Sequence, residues 1–231
     1  MTTGTRETFR GQKALGSKQG QGGNIISTKS EWVRAPGPVG LGLRIGLLGG
    51  SFNPPHEGHV HVSRAALRVL RLDYVWWLVS PQNPLKPKKG MASFAKRLDA
   101  AQLLASRHPR MVATGIENEL HTRFTIDTLR ALKRRFPETR FVWLMGSDNL
   151  VQIPHWRRWQ AIFSEVPIAV VARPGSALSA RGSKAANRYK SAACRPDSAF
   201  AEREPPAWTV IEVKRNSASG TRLRARSASR K

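Results

Sequence analysis

Two histidines, His56 and His59, stand three residues apart around Gly58 in the run Gly49-Gly50-Ser51-Phe52-Asn53-Pro54-Pro55-His56-Glu57-Gly58-His59. These residue types at this spacing suit phosphate chemistry. The paired glycines let the backbone turn tightly and approach a phosphate closely. A helix beginning at the histidines offers unpaired N–H groups and the positive end of its dipole to an anion. Two imidazoles at that place can add side-chain donors to phosphate oxygens. The run is neither the G-x-G-x-x-G of dinucleotide-binding folds nor a phosphate loop with Gly-Lys-Ser/Thr. Two other readings stay open at this point. One is a zinc site with His61 as a third ligand, although Cys or Glu partners at metal spacing are lacking. The other is loop histidines without a chemical role.

The elements that would hold this run alternate between strands and helices. Arg44 to Leu48 is a short apolar strand that ends in Gly49-Gly50, and His59 to Leu72 has apolar residues near helical spacing. Tyr74 to Val79 is a second strand, followed by a Pro/Lys-rich loop from Gln82 to Gly90. Ser93 to Ser106 is predicted as a helix with Ser93 at its N-cap. Further strands are expected at Val112 to Ile116, Arg140 to Met145, Pro167 to Ala172 and Trp208 to Val213. Helices are expected at Thr125 to Phe136, Trp156 to Phe163 and Ser219 to Arg226. Continuous apolar strands separated by helices imply an α/β fold with a doubly wound, mostly parallel sheet in a single domain. Ligands of such sheets bind beyond the carboxyl ends of the strands, and each unusual motif in the chain falls at such an end. Trp76 and Trp77 read as strand residues rather than ligand stackers.

The chain has 231 residues, enough for one domain with a sizeable core. Residues 1–42 are rich in Gly, Ser, Thr, Gln and Lys and read as a disordered basic extension. The domain is expected over 43–226, with 175–206 as a flexible insertion lacking clear period and 227–231 as a basic tail. The net charge of +24 comes from 39 Lys and Arg against 15 Asp and Glu. Much of it lies at the two ends: residues 1–43 hold six basic and two acidic residues, and 172–231 hold fourteen and four. Such a field attracts phosphorylated molecules. The single cysteine, Cys194, excludes an internal disulfide and fits a reducing compartment. No apolar run approaches membrane-spanning length, and the N-terminus has no secretory h-region. A cytoplasmic protein with no membrane partner is expected.

The run Gly-Ser-Phe-Asn-Pro-Pro-His-Glu-Gly-His resembles the first motif of the HxGH nucleotidyltransferases, and within them it is similar to the bacterial nicotinate-nucleotide adenylyltransferases. Ser80-Pro81-Gln82-Asn83-Pro84-Leu85-Lys86 resembles that family's loop after the second strand. Arg123-Phe124-Thr125-Ile126-Asp127-Thr128-Leu129 resembles its aromatic-Thr segment, and Gly146-Ser147-Asp148-Asn149-Leu150 with His155-Trp156 its Gly-x-Asp segment and following Trp. Ser219-Gly220-Thr221-Arg222-Leu223-Arg224 resembles its last motif. The resemblance implies a Rossmann-like fold and the reaction of ATP with nicotinate mononucleotide to give deamido-NAD and pyrophosphate. It implies catalytic roles for His56, His59, Thr221 and Arg224 at the ATP phosphates. Gly49, Gly50, Ser51, Phe52, Gly58, Gly146, Asp148 and Ser219 would bind ATP. Asn53, Lys86, Phe124, Thr125 and Trp156 would receive nicotinate mononucleotide. Mg²⁺ would accompany ATP, with no ligand from a protein side chain. Phe124 stands where the family usually has Tyr, and Gly220 where it has a second Ser.

Two further functions remain open on the sequence. One is the same transfer onto nicotinamide mononucleotide or phosphopantetheine. The other is a basic nucleic-acid-binding protein, but clustered basic and aromatic residues on the core are lacking and no specific nucleic-acid partner is expected.

Overall fold

The computed structural model describes residues 34–81, 90–172 and 176–213. They form one six-stranded sheet: β1 (Arg44–Gly50), β2 (Tyr74–Val79), β3 (Met111–Thr114), β4 (Arg140–Gly146), β5 (Ile168–Ala172) and β6 (Trp208–Glu212). The spatial order is β3-β2-β1-β4-β5-β6, and all five pairings are parallel. The strand order therefore reverses between β1 and β4, which pair with Leu48 opposite Leu144. A crevice opens at such a switch point because the connections leaving the two strands run to opposite sides.

The two faces of the sheet explain the unbroken apolar strands. Alternate residues of a strand point to opposite faces. Leu47, Trp76, Phe141 and Trp143 belong to one hydrophobic core, while their neighbours Leu48, Trp77, Val142 and Leu144 belong to the other. Helices α1 (Glu57–Val69) and α2 (Phe94–Ala105) complete the second core through Val60, Ala66 and Ala101. Helix α3 (Ile116–Glu119) and helix α4 (Thr125–Arg135) contribute Ile116, Ile126, Leu129 and Leu132 to the first. Burying each such aliphatic side chain contributes about 1.5–3 kcal/mol. Trp76 and Trp77 are both fully buried, as strand residues should be, and the Trp77 indole donates to Ser63 Oγ at 2.8 Å.

Several boundaries differ from the sequence reading. The third strand stops at Thr114, because the Thr114 hydroxyl accepts from the Ile116 N–H at 3.1 Å and Ile116 opens α3. The helix expected at Trp156–Phe163 starts later, as α6 (Trp159–Glu165), and a helix not expected from the sequence, α5 (Ser147–Gln152), precedes it. Between them lie a 3-10 turn at Ile153–His155 and Arg158 in a left-handed conformation (φ 50°). Pro154 lacks the N–H that a continuous helix would need. The segment expected as an irregular insertion carries α7 (Ala177–Arg181), α8 (Lys184–Arg188) and 3-10 turns at Lys190–Ala192 and Phe200–Glu202. Ala180, Ala185 and Ala186 join the first core, and Phe200 and Ala201 the second. Helices of five residues are too short to print a 3.6-residue period, so this packing leaves little trace in the sequence. The expected helix at 219–226 and the loop at 82–89 lie outside the described residues.

Candidate active site

The turn after β1 is shaped by two rings. A Cβ on Gly49 would sit 2.5 Å from Cη2 of Trp143, so the Trp143 indole occupies the space a side chain would need. Three residues on, Phe52 adopts a left-handed backbone (φ 46°) and turns its ring inward. That ring stacks on Trp77 at 5.3 Å and lies 4.6 Å from the His59 ring. Phe52 is 1% exposed. Its side chain anchors the turn from below, so an ATP contact of the kind expected of it would fall to its backbone.

His56 and His59 are joined by a reciprocal cap at the start of α1. His56 Nδ1 accepts from the Gly58 N–H at 3.0 Å, and His59 Nδ1 accepts from the His56 N–H at 3.1 Å. This is a capping box in which imidazoles replace the usual hydroxyl and carboxylate. Each Nδ1 must then carry a lone pair, so the neutral tautomer of both rings holds its proton on Nε2. Both rings are half-buried, 4.0 Å apart at their centroids. The N–H of Gly58 is committed to His56, so Gly58 presents no backbone donor to a phosphate here.

A buried arginine fixes the same turn from the other side. Arg97, on α2, is 2% exposed. Its guanidinium donates to the carbonyls of Ser51 (2.6 Å), Ser80 (2.8 Å), Pro81 (2.9 Å) and Ala92 (3.1 Å). It thereby ties the carboxyl ends of β1 and β2 to the start of α2. Among the described residues no carboxylate pairs with it. Burial pushes its pKa below the ordinary arginine value. Asn53 belongs to the same joint: its amide donates to the Gly90 carbonyl at 3.2 Å and accepts from the Ala92 N–H at 3.3 Å.

Beyond the strand ends lies a cavity of about 430 Å³. Gly49, Gly50 and Ser51 line it at the end of β1, Ser80 just after β2, and Trp143 from β4. Arg123, Phe124 and Thr125 line it at the start of α4, and Asp148, Asn149 and Gln152 on α5. His155, Trp156 and Arg157 close it before α6, with Glu117 reaching in from α3. Trp156 meets Trp143 edge-on, at 6.4 Å and 85°. Hence Gly49, Gly50, Ser51, Asp148, Phe124, Thr125 and Trp156, chosen from the sequence, share one cavity. Asn53, Phe52, Gly58, Gly146, His56 and His59 are not on its wall; Gly146 is the N-cap of α5. Lys86, Ser219, Thr221 and Arg224 lie outside the described residues.

Ser80, Glu117, Trp143, Gln152 and Arg157 were given no role from the sequence. The strand-end rule reaches Ser80 and, through β3, Glu117. Asn149 and Gln152 are three apart on α5, a spacing that places them on one face. Trp143 carries no such signal. Glu117 is an acid of the cavity wall with a strongly shifted pKa. Burial pushes its carboxyl up to about 7, against a smaller opposing effect of the Thr128 hydroxyl, which donates to Oε1 at 3.2 Å. That hydroxyl also lies within bonding distance of Thr122 Oγ1 (2.9 Å) and the Phe124 carbonyl (3.3 Å). Glu117 and Thr128 therefore brace the loop that delivers Phe124 and Thr125.

A parallel 3-2-1-4-5-6 sheet with a Gly-Gly turn and a capped histidine pair at the switch point defines a nucleotide-binding α/β protein of nucleotidyltransferase type. Residues 47–226 match the cytidylyltransferase-like family. A protein of Parvibaculum lavamentivorans named probable nicotinate-nucleotide adenylyltransferase is 54% identical over 189 residues, covering 80% of this chain and 92% of that one. Proteins of the same name from Cereibacter sphaeroides and Gluconobacter oxydans are each 52% identical, covering 78% and 79% of this chain and 96% and 94% of theirs. In fold, the chain is similar to the solved nicotinic acid mononucleotide adenylyltransferase of Plasmodium falciparum complexed with NaAD. That likeness has a TM-score of 0.58 at 17% identity, over 79% of this chain and 82% of the other. The chain belongs to the cytidylyltransferase-like family and, within it, to the nicotinate-nucleotide adenylyltransferases.

Proposed function

We propose that this enzyme transfers AMP from ATP to nicotinate mononucleotide, releasing pyrophosphate and forming deamido-NAD, as a step of NAD biosynthesis. The carrying observation is the histidine-bearing turn at the β1 end beside a cavity walled by Phe124, Thr125 and Trp156. Relatives sharing half their residues with this chain bear the name of that activity. The solved Plasmodium falciparum structures hold NaAD in one case and APC in another.

The acceptor phosphate is already an anion near neutral pH, so the reaction needs no general base. One of its oxygens forms a bond to the α-phosphorus of ATP while the bond from that phosphorus to the bridging oxygen of pyrophosphate breaks. The protein must align the two and stabilise the charge on the transferring group. In this reading His56 and His59 act through Nε2–H donors. The Nδ1 caps orient both rings and hold the required tautomer, as a fixed partner on one imidazole nitrogen does elsewhere. Gly49, Gly50 and Ser51 let the phosphates approach the backbone, and Asp148 and Gly146 meet the nucleoside side of ATP. Trp156 stacks on the pyridine ring, with Phe124 and Thr125 beside it. Lys86, Ser219, Thr221 and Arg224 would complete the phosphate contacts.

Magnesium enters with ATP. Among the described residues no three His, Cys, Asp or Glu side chains lie together as a metal site. The hard phosphate oxygens and water suit Mg²⁺ without a protein cage. No helix of the described residues is long and apolar enough to cross a membrane, and we place the enzyme in the cytoplasm with residues 43–226 as its catalytic domain. The test is pyrophosphate release from ATP with nicotinate mononucleotide, nicotinamide mononucleotide and phosphopantetheine in turn. Release with nicotinate mononucleotide is expected; its absence refutes the proposal.

A further inference from the structure

Phe124 stands where the family usually has Tyr, and two guanidinium groups lie over its ring. Cζ of Arg157 lies 4.6 Å from the ring centroid and Cζ of Arg123 lies 5.7 Å from it. Both arginines line the cavity, and both are exposed. Among the described residues neither makes an ion pair. A guanidinium stacked on a ring face keeps its in-plane N–H groups free to turn toward a third party. The two acids on the same wall are differently placed. Glu117 is buried and held to Thr128, and Asp148 sits in the first turn of α5, beyond Gly146. The ring-binding side of the cavity thus presents unpaired positive charge next to Trp156.

We propose that Arg157, held over the Phe124 ring, is the residue that selects a pyridine ring bearing a carboxylate over one bearing a carboxamide. The inference rests on the adenylyl-transfer reading above and adds the group that distinguishes its acceptors. A carboxylate accepts from a guanidinium in a charge-assisted, two-pronged pair, whereas a neutral amide gains no such charge term. Arg123, farther from the ring centroid, adds to the field without setting the geometry.

The test uses the full chain and its variants Arg157→Gln and Arg157→Lys at saturating ATP. The readout is the ratio of kcat/KM for nicotinate mononucleotide to kcat/KM for nicotinamide mononucleotide. This ratio cancels any change in folded fraction. Losing one charge-assisted contact should lower it about tenfold in Arg157→Gln, through KM for nicotinate mononucleotide, with partial recovery in Arg157→Lys. Raising the salt concentration should lower the wild-type ratio and leave that of Arg157→Gln nearly flat. Wild-type activity on nicotinate mononucleotide with a ratio unchanged in Arg157→Gln overturns this inference alone. A wild-type protein inactive with both mononucleotides overturns the functional reading and this inference together.

Discussion

Replacing Glu117 by Gln should make the protein more stable in mild alkali than in mild acid, relative to the wild type. Burial raises the native carboxyl to about 7 from an ordinary value of 4.5. The native state therefore holds this proton more tightly than the unfolded chain does. Stability from the protonated form is fully present below the unfolded value and is lost as pH rises through about 7. Each tenfold gain in proton affinity corresponds to about 1.4 kcal/mol. Integrated between pH 5 and pH 8, the loss comes to about 2–3 kcal/mol. Glutamine keeps an acceptor for the Thr128 hydroxyl and cannot ionise. Urea unfolding of both proteins at both pH values isolates the effect, because groups common to the two proteins cancel in the double difference. A stability gap between variant and wild type that is equal at pH 5 and pH 8 would refute the reasoning. The same ionisation adds a negative charge to a cavity that Arg123, Asp148, His155 and Arg157 also line. KM for an anionic acceptor should then rise across that interval more in the wild type than in Glu117→Gln.

Other outcomes depend on the turn after β1. His56→Asn retains an N-cap acceptor but loses the Nε2 donor, so turnover should fall about a hundredfold while stability stays near wild type; equal turnover would remove His56 from the chemistry. His59→Ala should also lower turnover strongly without unfolding the chain, and near-normal turnover would refute its role. Gly49→Ala forces a methyl into the Trp143 ring, 2.5 Å from Cη2. It should destabilise by about 1–3 kcal/mol, with Trp143→Phe in the same chain recovering part of the loss in a thermal melt. Arg97→Met leaves the carbonyls of Ser51, Ser80, Pro81 and Ala92 without this donor. KM for ATP should rise in it, and Arg97→Lys, which restores charge but not the planar fork, should recover only part by initial-rate measurement.

The capped histidine pair both closes a helix start and orients two imidazole rings. An imidazole is an unusual N-cap, since hydroxyl and carboxylate oxygens serve better in most helices. Here it does two things at once. The Nδ1 atom satisfies a backbone N–H, and that bond decides which nitrogen keeps the proton. A helix start thereby becomes a pair of oriented donors at the end of the first strand.

The sequence by itself determined the alternation of strands and helices, the two-faced burial of β1, β2 and β4, and the histidine turn. These depend on neighbours in the chain: an unbroken apolar run, a Gly-Gly pair, and a three-residue spacing at a helix start. Ser93 as an N-cap belongs with them, since it accepts from the Lys96 N–H three residues on. Only the tertiary structure decided that Trp143 must fit over Gly49, that Phe52 faces inward, and that Arg97 binds carbonyls 46, 17, 16 and 5 residues away. It also decided that Glu117 is buried against Thr128 and that Arg157 lies on Phe124 across 33 residues of chain. Local periodicity records what a residue's own element requires. It carries no record of which distant side chain fills the same space, and in this cavity that distant partner sets the charge and the shape of the wall.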